Sequence, residues 1–299
     1  MNDSWQQHEF VDHRVITRLS RLSVLPRGLV EGSFAGMHRS PHHGASVEFA
    51  EYRKYVPGDD IRHIDWRAYA KTDRYYLKEF EADTNMRLYI VVDCSASMNF
   101  SGEHGSKFEY ARKLAATLAY LTIHQGDHVG LQAFNEELVL DIPPHGSPTH
   151  LKAIFDTLGE ITPKGKTDVA GVLHTLAEKF RRRALVIVIS DLFTDLQSLM
   201  DSFHHMRFCK HDIAVFHLLD PQEIEFDFDR PIRFQDLESK FSLVTEPGTI
   251  QNDYRSLMDQ YMKRVRKGCT EHGADYQVVS TDQHFEEVLC PFLLERVRR

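Results

Sequence analysis

From Leu88 onward, short apolar runs of strand length alternate with amphipathic stretches of helical period, and this alternation restricts the fold more than any other feature of the chain. Runs such as "LYIVV" and "ALVIVI" carry no polar face, so both sides of the sheet they form must be covered by the intervening helices. The expected architecture is an α/β fold with a doubly wound, mainly parallel sheet. Strands are expected at 88–92, 129–134, 138–142, 184–189 and 213–218, with a further one at 276–279 and a last helix over 283–296. The third joins the second through a short hairpin at 135–137 and so runs antiparallel to it. Between the first two, "SKFEYARKLAATLAYLTIHQGD" opens on a capping box (Ser106, Glu109) and sets Phe108, Ala111, Leu114, Leu118 and Leu121 on one stripe. Residues 226–244 read as a hairpin inserted into this 88–299 domain.

Upstream, Val11, Val15, Leu19 and Leu22 recur at helical spacing, which predicts an amphipathic helix over 10–25 in an N-terminal segment of residues 1–27. Residues 28–87 are polar and Gly-rich, with strand-like pieces, and read as a smaller β-rich module. No run approaches the ~20 apolar residues of a membrane helix, and the N-terminus has no signal-peptide core, so no membrane insertion is expected. A formal net charge of −8 argues against a general nucleic-acid binder. The four cysteines (94, 209, 269, 290) form no CxxC pair, which suggests neither a disulfide framework nor a zinc ribbon and fits a cytoplasmic location.

Ligands of open parallel sheets bind beyond the carboxyl ends of the strands, where strand order reverses. In the expected order 3-2-1-4-5 the first and fourth strands are neighbours, so "DCSASM" and "SDLFTD" place Asp93 and Asp191 across the switch point, with a cation expected between them. In an extended loop, Asp93, Ser95 and Ser97 turn to one side while Cys94 and Ala96 face the core. Thr167, in "TPKGKTDVAGVL", offers a further hydroxyl. Oxygen donors without His or thiolate suit Mg2+ or Mn2+. The plainer alternative is a strand-to-helix turn in which Asp and Ser satisfy backbone groups. Asp168 and Asp195 read as helix caps, and His38, His42 and His43 as a solvated loop.

Catalytic motifs fare poorly. "GKT" at 165–167 lacks the phosphate-loop glycine, since Glu160 stands in its place. A dehalogenase-type phosphatase needs a second Asp two residues after the first, and Ser95 occupies that position. Neither serine has a G-x-S-x-G elbow. The enzymatic alternative left is a magnesium-dependent hydrolase of phosphoesterase type with Asp93 as nucleophile.

The set Asp93-x-Ser95-x-Ser97, Thr167 and Asp191 resembles the metal-ion-dependent adhesion site of von Willebrand factor type A domains. Glu48, Phe49, Arg53, Tyr55, Gly58, Asp59, Asp60, Arg62, Ile64, Asp65 and Trp66 together resemble a block found in the bacterial family known as domain of unknown function 58 (DUF58). The resemblance implies a protein-binding adaptor whose divalent ion grips an acidic residue of a partner. It also implies work alongside a MoxR-type AAA+ ATPase in assembly or maturation of complexes. Within the block, Arg53, Asp59, Asp60, Arg62, Asp65 and Trp66 either anchor the small module through buried ion pairs or form a partner-binding surface.

Overall fold

The computed structural model describes residues 8–20, 22–25, 47–56, 64–82, 86–228, 232–238 and 242–298. Its contacts divide the chain into one unit of residues 1–28 with 86–299 and a second of residues 29–85.

In the larger unit, helix α1 (His13–Leu19) comes first. It is shorter than the expected 10–25. Asp12 caps its start by accepting from the Arg14 and Val15 amides, and the chain leaves helical geometry after Ser20. Val24 then exchanges two hydrogen bonds with the Gln125 side chain, at 2.9 Å each, so tertiary partners replace the helical ones.

In the smaller unit, β1 (Val47–Lys54) and β2 (Tyr76–Ala82) pair antiparallel with a bulge at Phe49/Glu51, and α2 (Trp66–Thr72) lies between them in sequence. Asp65 accepts from the Ala68 amide at 3.1 Å, and Tyr69 stacks on Tyr75 with ring centroids 4.5 Å apart.

The larger unit continues with β3 (Arg87–Asp93), a 3-10 turn at Ala96–Asn99, and the two-residue strands β4 (Ser101–Gly102) and β5 (Gly105–Ser106). Next come α3 (Lys107–His124), β6 (His128–Phe134), β7 (Leu138–His145), α4 (Pro148–Glu160) and α5 (Val169–Lys179). They are followed by β8 (Leu185–Ser190), α6 (Leu196–Phe208), β9 (Asp212–Leu219) and α7 (Pro221–Glu225). The inserted hairpin is β10 (Ile232–Gln235) paired with β11 (Ser242–Thr245), after which α8 (Pro247–Glu271), β12 (Asp275–Ser280) and α9 (Phe285–Arg298) complete the chain.

The central sheet has the order β12-β9-β8-β3-β6-β7, parallel except for β7. The strand pattern explains the two layers around it. Leu88, Ile90 and Val92 of β3, with Leu185, Ile187 and Ile189 of β8, pack against α1, α3, α4 and α9. Tyr89 and Val91, with Val186 and Val188, pack against α5, α6 and α8. Each such side chain contributes about 1.5–3 kcal/mol when fully buried, so a period-two apolar run on both faces fixes the sheet at the centre. Strand order reverses at β3, which puts the carboxyl ends of β3 and β8 side by side. Among the described residues, no helix is long and apolar enough to cross a membrane.

Candidate functional site

Asp93, the last residue of β3, and Ser190, the last of β8, are fully buried neighbours. The chain turns at Ser95, whose extended backbone (φ −68°, ψ 166°) leads into the 3-10 turn. Ser97 therefore does not project from an extended loop as expected. It stands within the turn that Ser95 leads, and its hydroxyl lies 3.0 Å from that of Ser95. Cys94 faces the core, with its thiol donating to the Phe134 carbonyl.

Two backbone bonds bind this turn to the Thr167 loop: Ala96 N–H to the Gly165 carbonyl and Lys164 N–H to the Cys94 carbonyl, both 2.8 Å. Gly165 has φ +81°, a conformation open to glycine at little cost, and the loop's turn depends on it. Asn135 donates to the Lys164 carbonyl, and Asp168 caps α5 by accepting from Gly171 N–H, which fixes Thr167 between them. Asp195 likewise caps α6.

The oxygens then converge. Asp93 Oδ1 accepts the Ser95 amide at 2.9 Å, and Oδ2 accepts the hydroxyls of Thr167 at 3.1 Å and Ser190 at 2.6 Å. Burial, together with the charge of Asp191, pushes the Asp93 carboxyl up to about 7. Burial and a neighbouring like charge both favour the protonated form of such a carboxyl.

Asp191 sits beside this group, but a cation of the protein's own reaches it. Lys107, the first residue of α3, is completely buried and places its ammonium 2.7 Å from Asp191 Oδ2 and 2.8 Å from Glu223 Oε1. Burial alone would lower the lysine's pKa, yet Asp191 and Glu223 outweigh it and hold it above the ordinary value. The rings of Phe193 and Phe100 close over the ammonium at 5.2 and 5.8 Å. Behind Asp191, His217 Nε2 donates to its carbonyl at 2.8 Å, which leaves Nδ1 to accept the Tyr276 hydroxyl. Burial lowers the His217 pKa to about 4, so the imidazole is neutral and keeps this tautomer.

Asp93, Ser95, Ser97 and Thr167 are thus joined by hydrogen bonds, with Asp191 adjacent but tied to Lys107. A carboxylate with three hydroxyls is a hard-oxygen set that fits Mg2+ or Mn2+. Among the described residues, no three His, Cys, Asp or Glu side chains form a metal-holding group, so any ion here would depend on the hydroxyls. Lys107, Ser190 and Glu223 escaped the sequence reading. Lys107 did carry a signal, since it lies four residues before Ala111 and seven before Leu114, on the buried stripe of α3.

In the second unit, Asp65 is buried and Trp66 is 60% exposed. Asp59, Asp60 and Arg62, with His38, His42 and His43, lie outside the described residues, as does the side chain of Arg53.

Comparison with protein families matches residues 51–268, more than two thirds of the chain, to the family described as "Protein of unknown function DUF58". The chain belongs to the DUF58 family. This DUF58 protein is 25% identical to "Uncharacterized protein Rv1480" of Mycobacterium tuberculosis over 294 residues, covering 96% of this chain and 91% of the relative. Among solved structures, an aerotolerance-related membrane protein of Bacteroides fragilis NCTC 9343, carrying multiple mutations to serine, shares 16% identity at TM-score 0.50. That match covers 71% of the DUF58 chain and 100% of the other. The SpRpn10 VWA domain aligns with TM-score 0.40 and 10% identity over 69% of this chain and 93% of its own. The B. fragilis match is a likeness of fold.

Proposed function

We propose that this DUF58 protein is a cytoplasmic adaptor that grips an acidic side chain of a protein partner through Mg2+ or Mn2+ held by Asp93, Ser95, Ser97 and Thr167. Asp191, neutralised in part by Lys107, backs the ion from the second sphere. The observation that carries this reading is the Thr167 hydroxyl on the Asp93 carboxylate, which joins segments 74 positions apart in sequence at the switch point of the sheet. The hydroxyl-rich set leaves a bound divalent ion with residual positive charge, which favours an outside carboxylate as the completing ligand. Four free cysteines suit a reducing compartment.

The same arrangement gives little support to hydrolysis. Both Asp93 oxygens already accept hydrogen bonds, and the position two residues on holds a serine paired with Ser97 rather than an acid/base carboxylate.

A MoxR-type AAA+ ATPase is the partner class this reading favours. Such an ATPase itself needs magnesium, so a chelator cannot serve as the control. The test is binding of the purified ATPase to wild-type protein and to Ser95→Ala at the same magnesium concentration. Loss of binding in the variant, with its fold unchanged by circular dichroism, is expected. Equal binding by both would contradict the mechanism.

A further inference from the structure

The inserted hairpin places one more carboxylate against the backbone of the Thr167 loop. Glu238, three residues past the end of β10, accepts the Thr167 amide on Oε2 at 3.2 Å. It thereby joins the residue whose hydroxyl is bonded to Asp93. The other oxygen, Oε1, is buried and has no hydrogen-bond partner among the described residues. A buried carboxylate oxygen without a donor carries a desolvation penalty on the order of 1–3 kcal/mol or more, which a cation brought to it would relieve.

The position of Glu238 is set by specific contacts. Its own amide donates to Asp236 Oδ1 at 2.9 Å, which fixes the local turn. Phe234 of β10 stacks on Phe226 at 5.2 Å, and Phe226 stacks on Tyr254 of α8 at 4.3 Å. The Tyr254 hydroxyl donates to the carbonyl of Glu223, the residue whose side chain holds Lys107. One contact chain therefore runs from the buried lysine through α7 and the aromatic stack to the carboxylate over Thr167. The hairpin also presents Leu237, Leu243 and Val244 to solvent at 48%, 47% and 70% exposure, so few apolar contacts hold its outer part down.

We infer that Glu238 is an internal stand-in for the partner's acidic side chain: it closes the site in the free protein, and a partner carboxylate must displace it to bind. This rests on the divalent-ion reading above and adds to it a built-in competitor. The consequence is a lower apparent affinity for partners, set by the fraction of molecules in which Glu238 has moved away.

The test uses full-length protein loaded with Mn2+, reading water-proton relaxation, which rises with each exchangeable water on the ion, and adding acetate as a small carboxylate probe. Variants are Glu238→Gln, which keeps an acceptor for Thr167 N–H, and Glu238→Ala, with Asp93→Ala as the metal-site control. In wild type, acetate should leave the relaxation unchanged. In both Glu238 variants relaxation per bound ion should rise, acetate should reverse the rise, and Mn2+ affinity should fall by roughly tenfold. If wild type and both variants bind Mn2+ with the same relaxation and the same acetate response, the role of Glu238 is overturned while the metal site stands. If Mn2+ fails to bind wild type, or binds Asp93→Ala equally well, the metal reading falls and this inference falls with it.

Discussion

Replacing Lys107 with methionine keeps most of the buried side-chain stem and removes the ammonium from a fully buried position. Lys107 and Asp191 are both fully buried and Glu223 retains only 14% side-chain exposure, so two carboxylates at 2.7 and 2.8 Å lose their common cation. Breaking a buried ion pair by deleting one partner costs about 3–5 kcal/mol, because the remaining charge is stranded. For a domain of this size that corresponds to a fall in melting temperature of roughly 6–20 °C. Urea denaturation at neutral pH, in chelator, measures the difference directly. Adding Glu223→Gln to the methionine variant removes one stranded charge and should recover about 1–2 kcal/mol, a coupling that a double-mutant cycle reads. A Lys107→Met protein within about 1 kcal/mol of wild type would refute the assignment of this triad as a buried, charged network.

Two further outcomes follow from the same geometry. The Asp93 carboxyl is raised from 3.8 to about 7, so the metal-free native state holds this proton more tightly than the unfolded chain, and stability is withdrawn as pH rises through that interval. Asp93→Asn should therefore stabilise the protein in chelator at pH 8 by up to about 4 kcal/mol, shrinking toward zero near pH 4, and should abolish any magnesium-induced rise in melting temperature. A variant less stable than wild type at pH 8, or one that still responds to magnesium, would contradict it. Gly130→Ala should cost about 1–3 kcal/mol, because a Cβ on β6 would stand 2.7 Å from the Ile142 carbonyl where β7 bulges. Unchanged urea midpoints would show that the β7 backbone yields freely.

Much of the architecture is legible in the sequence because the sheet strands are buried on both faces, and runs such as 88–92 and 184–189 state that burial without ambiguity. Strand order, the antiparallel β7 and the capping box of α3 follow from the same local patterns. The 25-residue helix α8 is not legible in the sequence: its buried residues are few (Pro247, Met258, Val265, Gly268, Cys269), so a mostly polar surface conceals the stripe. The site divides similarly. Asp93, Ser95, Ser97 and Thr167 lie at strand ends or loops whose positions topology dictates, whereas the geometry of Ser97 depends on a 3-10 turn pinned by the Gly165 carbonyl. Lys107 falls on the buried stripe of α3, but its partner Asp191 comes from 84 residues away and no local pattern names it. Glu238 is invisible to any local pattern, since its contact with Thr167 joins residues 71 positions apart in sequence.

Crystals soaked in Mn2+ and measured at the manganese absorption edge would locate the ion directly. One anomalous peak bounded by Asp93, Ser95, Ser97 and Thr167 is expected, absent in Asp93→Ala crystals. A peak elsewhere on the chain, or none at this oxygen cluster at saturating Mn2+, would contradict it.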